Sequence, residues 1–258
     1  MKKRLITGII GGAFFLTLVF TGGIGFGILL FFIALIGYYE WLRMNSIHIG
    51  SIQSLVGLLF TLLYFLPSSV MLGGIKVDYI MMELLLLLTI MVLSKNKAPI
   101  QEMAYIFIGS VYIGVSLHYM FETRMLENGL ILTLAILAGI WATDSAAYFV
   151  GRAIGKHKLW PTISPKKTIE GSLGGILVAI LVILCFSLFG NQISFSLACI
   201  LGLSVSISGQ VGDLVESAVK RTLGVKDSGQ ILPGHGGVLD RFDSLLFVYP
   251  VLHLLSLI

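Results

Sequence analysis

The chain has 258 residues, of which 57% are hydrophobic and 12% are charged, and its mean hydropathy is +0.98. Soluble domains usually carry about 25% charged residues, so this composition excludes an ordinary soluble protein and indicates an integral membrane protein. The length is enough for one membrane domain and leaves no room for a large soluble domain beside it.

Nine apolar stretches follow one another along the chain. Most approach the ~20 residues that a helix needs to cross the hydrocarbon core, and lipid cannot satisfy free backbone groups. The first two stretches are almost continuous and the last is short, so the count is nine within one. We therefore predict an all-α, polytopic integral membrane protein with about nine transmembrane helices. The stretches are roughly 5–21, 23–40, 49–66, 79–94, 103–121, 129–150, 172–190, 195–215 and 244–257.

The lysines and arginines predict the orientation of these helices. If the N-terminus is cytoplasmic and the sides alternate, only Lys76 and Arg124 of the 17 basic residues lie outside. The other 15 lie in cytoplasmic segments, as the positive-inside rule favours. We expect the N-terminus and the long loops on the cytoplasmic side of the cell's inner (plasma) membrane.

The two halves of the chain differ in their loops. We treat residues 1–258 as a single membrane domain, in which residues 1–128 have short loops and form mainly a helical scaffold. Glycine-rich runs in this half, such as GIIGG, suit close helix packing in lipid. Residues 129–258 contain two long, charged cytoplasmic loops, 151–171 and about 216–243, and are predicted to be the catalytic part.

Two predicted helices carry acidic residues near their cytoplasmic ends. Asp144 lies in IWATDSAAYFVG, and Asp213 lies in SGQVGDLVESAVKR, where Glu216 and Ser217 follow at helical spacing. Carboxylates at such positions are costly unless they are paired or bind something, so they are first interpreted as functional. For Asp144, an ion pair with a nearby lysine or arginine is the alternative.

Acidic residues continue into the last long loop. If the last helix begins near Asp240, then Asp240 and Asp243 share one of its faces. With Asp213, Glu216 and Asp227 they form an oxygen-rich cluster, which suits Mg²⁺ better than zinc. A solvated charged loop is the alternative interpretation.

Basic residues are interleaved with these acids. Phosphoryl and nucleotidyl transfer need a metal ion that bridges phosphate oxygens and cations that neutralise the remaining charge. The mixture therefore predicts an enzyme that handles a phosphorylated substrate, although the positive-inside bias alone accounts for some of the bases. The basic candidates are Lys166, Lys167, Lys220, Arg221, Lys226 and Arg241.

Three glycines, Gly234, Gly236 and Gly237, surround His235 in the same loop. Glycine allows backbone N–H groups to approach a phosphate closely, and it also suits a loop that turns back into a helix. The two interpretations are compatible. His235 fits a proton donor, a phosphate ligand or a structural residue equally well.

The run SAVKRTLGVKDSGQILPGHGGVLDRFDS, residues 217–244, resembles the signature of the phosphatidate cytidylyltransferases, the CDP-diacylglycerol synthases. SPKKTIEG, residues 164–171, is similar to a second motif of that family. The resemblance implies transfer of CMP from CTP to phosphatidic acid with Mg²⁺, giving CDP-diacylglycerol and pyrophosphate. It also implies a homodimer among membrane lipids, with no nucleic acid as a partner. The matching positions in the signature are Ser217, Lys220, Arg221, Lys226, Asp227, Pro233, His235, Gly236, Gly237, Asp240, Arg241 and Asp243.

The resemblance and the residue chemistry together assign three groups of site residues. Asp213 and Asp240 are the first choices for metal ligands, and Asp144 and Asp243 come next. The predicted substrate-binding residues are Lys166, Lys167, Ser217, Gly236 and Gly237. The predicted catalytic residues are Lys220, Arg221, Lys226, Asp227, His235 and Arg241.

Pro165 precedes the two lysines and restrains the backbone, so Lys166 and Lys167 are expected in an ordered turn. Two other functions remain open for the whole chain. One is a CTP-dependent lipid kinase, which transfers the γ-phosphate, and the other is an ion-coupled transporter.

Overall fold

The computed structural model describes residues 2–66, 77–190, 193–231, 234 and 236–258. Within these ranges the fold is nearly all-α, as predicted, because only one small two-stranded sheet accompanies the helices. In chain order the elements are α1 (Lys2–Thr21), α2 (Gly23–Met44), α3 (Ile52–Phe65), α4 (Val77–Leu93), α5 (Ile100–Met125), α6 (Gly129–Ile154), β1 (Lys158–Trp160), β2 (Ser164–Thr168), α7 (Ile169–Gly190), α8 (Phe195–Thr222) and α9 (Leu239–Leu254).

Each of the nine predicted apolar stretches falls largely within one of these helices. In the described part of the chain, five helices are long and apolar enough to cross a membrane, namely α2, α5, α6, α7 and α8. Helix α3 has 14 residues and is about 21 Å long, shorter than a hydrocarbon core of about 30 Å. The structure therefore supports a membrane protein, and the count of nine crossings stays a prediction.

The outer face of α7 is apolar. Leu173, Leu177 and Leu181 follow one another at four-residue spacing, and their side chains are 57%, 64% and 61% exposed. Residues at this spacing lie on one side of a helix. A continuous exposed leucine stripe on a helix of this length suits contact with lipid rather than with water.

The chain divides into two compact units. The first contains Met1–Glu122 and Asp227–Arg241, and the second contains Thr123–Lys226 and Phe242–Ile258. Helix α9 therefore begins in the first unit and continues in the second. Within the first unit, described residues of the segment 227–241, which carries much of the signature, contact Gly37 and Glu40 on α2.

The first unit is anchored by a reciprocal contact between α2 and α5. The Trp41 indole Nε1 donates to the Tyr105 carbonyl at 2.9 Å, and the Tyr105 hydroxyl donates to the Trp41 carbonyl at 2.8 Å. The two rings stack with their centroids 4.7 Å apart. Tyr38, on the same helix, is fully buried and donates to the Ser54 carbonyl. The C-terminal part of α2 is thus held firmly in the unit.

The second unit packs α6, α7 and α8 at glycines. A Cβ atom on Gly175 would lie 2.9 Å from the Thr143 carbonyl oxygen, so the backbones of α6 and α7 approach each other closely there. In the run GIIGG, a Cβ on Gly11 or Gly12 would meet nothing within 4 Å, so these two glycines make no close helix contact within the described chain.

The loop between α6 and α7 folds into an antiparallel hairpin of β1 and β2. Lys166 and Lys167 lie in strand β2, so the prediction that they occupy a turn is wrong. The base of the hairpin is closed by His157, whose Nδ1 lies 2.6 Å from Glu170 Oε1 at the start of α7. The hairpin therefore presents the two lysines from an ordered strand.

Candidate active site

A pocket of about 350 Å³ opens in the second unit, among α6, the hairpin, α7 and α8. It brings together two predicted metal ligands and both predicted substrate-binding lysines, which are separated by many residues in sequence. The lining residues are Asp144, Ala147, Tyr148, Gly151, Arg152, Leu159, Lys166, Lys167, Thr168, Ser172, Gln210 and Asp213.

An ion pair joins the hairpin to α8 in this pocket. The Lys167 ammonium nitrogen lies 2.6 Å from Asp213 Oδ2, and both side chains are partly exposed. The other carboxylate oxygen, Oδ1, accepts a hydrogen bond from the Ser217 hydroxyl at 3.3 Å. A partly exposed ion pair adds little to stability, so its main effect is to hold both charged groups at the pocket.

Three predicted metal ligands share one electrostatic environment in the second unit. The charge of Asp144 interacts with those of Asp213 and Lys167, and the charge of Asp243 interacts with those of Asp213, Lys220 and Asp144. In the parts of the chain that the structure describes, no three His, Cys, Asp or Glu side chains are already arranged as a closed metal-binding group. The oxygen donors nevertheless match the preference of Mg²⁺.

A close approach of α8 and α9 brings Asp213 and Asp243 into this shared environment. A Cβ on Gly212 would lie 2.8 Å from the Asp243 carbonyl oxygen and 2.7 Å from Phe247 Cβ. Only glycine allows the two backbones to come this close. Asp243 also accepts a hydrogen bond from the Ser244 amide at 2.7 Å, which orients its carboxylate.

The fourth predicted metal ligand, Asp240, has a defined structural role in the first unit. Its Oδ2 accepts hydrogen bonds from the Ser228 amide at 3.0 Å and from the Gly237 amide at 2.8 Å. These bonds tie the start of the segment 227–241 to its end. Metal binding by Asp240 stays a prediction alongside this role.

Two signature glycines lie directly against side-chain oxygens of the protein itself. Gly236 has a φ of 82°, and a Cβ there would collide with Asp240 Oδ2. A Cβ on Gly237 would collide with the Ser228 hydroxyl oxygen and would lie 2.5 Å from Glu40 Oε2. The predicted role of these glycines in binding substrate is untested, while their structural role is evident.

Most of the remaining predicted residues that the structure describes are exposed, whereas the Lys220 side chain is largely buried. Lys220 pairs with Glu216 at 3.1 Å on α8, at i and i+4 spacing. His235 lies outside the described residues. The exposed candidates are Lys166, Arg221, Lys226, Asp227 and Arg241.

Sequence reasoning did not select three residues that the structure places at the pocket or against the signature segment. Arg152 lines the pocket with Lys166 and Lys167, and its position in a basic loop was the available signal. Gln210 also lines it and donates to the Ser206 hydroxyl at 3.3 Å, but a single glutamine in a span gives no local pattern. The third, Glu40, is a carboxylate in an apolar stretch, the same signal that identified Asp144.

The structure combines apolar helices of membrane-spanning length with a pocket lined by carboxylates and lysines, and such side chains suit the binding and transfer of phosphate-containing groups. Comparison with known proteins narrows this class. The model of the cytidylyltransferase family matches residues 2–258. The chain therefore belongs to the cytidylyltransferase family.

Curated bacterial proteins are similar over nearly the whole chain. The phosphatidate cytidylyltransferase of Bacillus subtilis (strain 168) is 44% identical over 99% of this chain and 97% of its own length. The phosphatidate cytidylyltransferases of Staphylococcus epidermidis and of Staphylococcus aureus (strain COL) are 43% and 40% identical, each over 99% of this chain and 98% of their own length.

Proposed function

We propose that this protein transfers CMP from CTP to phosphatidic acid and so forms CDP-diacylglycerol and pyrophosphate. The observation that carries the proposal is the 44% identity, over 99% of the chain, to a protein named phosphatidate cytidylyltransferase. The pocket in the second unit supports it, because basic and acidic side chains meet there at one end of apolar helices. CTP and phosphatidic acid are accordingly the two substrates.

The reaction is a displacement at phosphorus. An oxygen of the phosphatidic acid phosphate forms a bond to the α-phosphorus of CTP, and the bond between that phosphorus and the bridging oxygen to the β-phosphate breaks. Pyrophosphate leaves with the bonding electron pair. The attacking phosphate is already anionic, so the protein needs no strong general base and acts by positioning and charge neutralisation.

The predicted residues have distinct tasks in this scheme. The cations neutralise and orient substrate phosphates, and the signature residues Asp227 and His235 complete the predicted catalytic group. Asp213, Asp240, Asp144 and Asp243 would hold Mg²⁺, which when bound supplies positive charge to phosphate oxygens. The cations are Lys166, Lys167, Lys220, Arg221, Lys226 and Arg241.

The product itself tests the proposal against its alternatives. Purified protein in detergent micelles is incubated with phosphatidic acid, MgCl₂ and CTP labelled at either the α- or the γ-phosphorus. We expect the α-label in the lipid product and the γ-label in pyrophosphate. Transfer of the γ-label to lipid with release of CDP would instead establish a lipid kinase. Absence of label from lipid in both reactions would favour a transporter and contradict the proposal.

The active site faces the cytoplasm in this proposal. If the chain crosses the inner membrane nine times and its N-terminus is cytoplasmic, 15 of the 17 basic residues lie on the cytoplasmic side, beside anionic lipid head groups. The water-soluble CTP is available on that side. In this proposal, residues 1–128 serve as a scaffold and residues 129–258 form the catalytic part. Assembly of the protein as a homodimer among membrane lipids, which rests on the family resemblance, also belongs to this proposal.

Cysteine labelling in intact cells is expected to show this sidedness. In a background with Cys185→Ala and Cys199→Ala, a Lys226→Cys variant should react with a membrane-impermeant maleimide only after the cells are opened. A Glu127→Cys variant should react from outside, because residue 127 lies in the α5–α6 loop. Both positions are exposed in the structure. Reaction of both cysteines from the same side would contradict nine crossings.

A further inference from the structure

Glu40 is a buried carboxylate in the first unit that none of the proposed catalytic steps uses. It lies near the C-terminal end of α2, and its side chain is 1% exposed. A buried charge is costly unless hydrogen bonds compensate for its lost hydration. The groups that donate hydrogen bonds to the Glu40 carboxylate therefore indicate the role of this residue.

Three donors converge on the two oxygens of Glu40. Oε1 accepts from the Val238 amide at 3.0 Å, and Oε2 accepts from the Leu239 amide at 3.0 Å. Oε2 also accepts from the Ser228 hydroxyl at 3.1 Å. These donors belong to the segment 227–241, almost two hundred residues from Glu40 in sequence but in the same compact unit.

The segment is also shaped around this carboxylate. A Cβ on Gly229 would collide with Glu40 Oε1, and a Cβ on Gly237 would lie 2.5 and 2.6 Å from the two oxygens. Gly229 and Gly237 therefore pass so close to Glu40 that a side chain at either position would displace its carboxylate. The segment is therefore held against the Glu40 carboxylate both by hydrogen bonds and by close packing of its backbone.

Glu40 and Asp240 form hydrogen bonds to the same short segment of the chain. Leu239, the first residue of α9, donates to Glu40, and the next residue is Asp240. Asp240 in turn accepts from the amides of Ser228 and Gly237. The first backbone N–H groups of a helix have no partner within the helix and carry partial positive charge, which an anion stabilises. Glu40 thus fixes the position at which α9 begins.

We propose that Glu40 is a positioning residue for CMP transfer. This proposal rests on the proposed function. Glu40 acts on the reaction through the start of α9, where it holds the backbone beside Asp240, a predicted metal ligand of the same unit. Its carboxylate contacts the segment and takes no direct part in bond formation. Groups that hold catalytic or ligating side chains in this way commonly contribute about 10- to 100-fold to activity.

The Glu40→Gln variant tests this role because it keeps the size of the side chain and removes the charge. One of its two terminal groups becomes an NH₂ donor that faces a backbone or hydroxyl donor. We expect kcat with CTP and phosphatidic acid to fall at least about tenfold, while KM for CTP changes less than about threefold.

Glu83 provides a matched control in the same unit. Its side chain is fully buried and accepts hydrogen bonds from the Tyr64 hydroxyl, at 2.8 Å, and from the Ser110 hydroxyl. Glu83→Gln therefore changes a comparably buried, hydrogen-bonded carboxyl group away from the signature segment. We expect the two variants to have similar losses of thermal stability, and we expect Glu83→Gln to retain its kcat.

Limited proteolysis gives a readout that does not depend on activity. Lys226 is exposed two residues before Ser228. Because Glu40 holds this segment, trypsin should cleave after Lys226 at least about threefold faster in Glu40→Gln than in wild type or Glu83→Gln. If the wild type makes no CDP-diacylglycerol, the proposed function fails, and unchanged cleavage separately overturns the positioning role.

The Ser228→Ala variant covers the case in which Glu40→Gln does not fold. It removes one of the three donors and leaves the carboxylate in place, so we expect a smaller fall in kcat, about threefold. An unchanged kcat in folded Glu40→Gln would overturn the inference. If that variant does not fold, an unchanged kcat in Ser228→Ala would do the same.

Discussion

The Asp213→Asn variant is expected to lose CMP-transfer activity by at least about tenfold, a barrier increase of about 1.4 kcal/mol or more, while it still inserts in the membrane. Asparagine keeps the shape of the side chain and removes the charge that pairs with Lys167 at 2.6 Å. It also removes an anionic oxygen from the shared environment of Asp144 and Asp243. Steady-state rates with CTP and phosphatidic acid measure the loss.

Asp78→Asn is the control for this substitution. Asp78 is exposed in the first turn of α4, within the first unit, so the same charge is removed away from the pocket. Its rate should stay close to that of the wild type. An Asp213→Asn protein that keeps more than about a tenth of the wild-type rate would exclude Asp213 as an essential metal ligand.

Hydropathy located the helices because a membrane imposes a simple rule on the backbone. Each predicted stretch lies largely within a helix, since a chain in lipid must satisfy its backbone groups internally. The number of crossings is harder to predict. A short helix such as α3 is as apolar as a membrane-spanning helix, but with 14 residues it is shorter than one.

The β-hairpin was not predicted because its sequence carries little strand signal. β1 has three residues, and β2 contains Pro165 and two lysines, which are uncommon in strands. Pairing between the two segments overrides these local preferences. Residue chemistry and the family resemblance both identified the lysines, and the structure shows that Lys167 contacts Asp213, a contact that sequence spacing could not reveal.

The glycines of the signature show where local reasoning stops. A glycine next to a loop histidine suggests that another group approaches the backbone closely. A backbone N–H group at a glycine can bind a phosphate as well as a carboxylate. The structure shows the approaching groups to be Asp240 at Gly236 and both Ser228 and Glu40 at Gly237. Nothing near Glu40 in sequence indicates that its partners lie at residues 228–239, because only tertiary folding brings them together.

Lys167→Ala is expected to lower the rate of CMP transfer more than Lys167→Arg, and both more than the corresponding Lys166 variants. Lys167 is fixed by Asp213 at the pocket, whereas Lys166 is an exposed lining residue. Arginine keeps the positive charge but offers a planar fork in place of a compact ammonium group. We expect a loss of about tenfold or more for Lys167→Ala, measured as kcat/KM for CTP.

Lys158→Ala separates this role from the contribution of positive charge to membrane orientation. Lys158 is an exposed residue of β1 in the same hairpin, on the strand paired with β2, and it does not line the pocket. If the lysines serve only the positive-inside rule, Lys158→Ala and Lys167→Ala should have equal rates, and both arginine variants should behave as wild type. That result would remove Lys166 and Lys167 from the site. If Lys167 holds a substrate phosphate, only the Lys167 and Lys166 variants lose activity, and cysteine labelling shows an unchanged orientation in all of them.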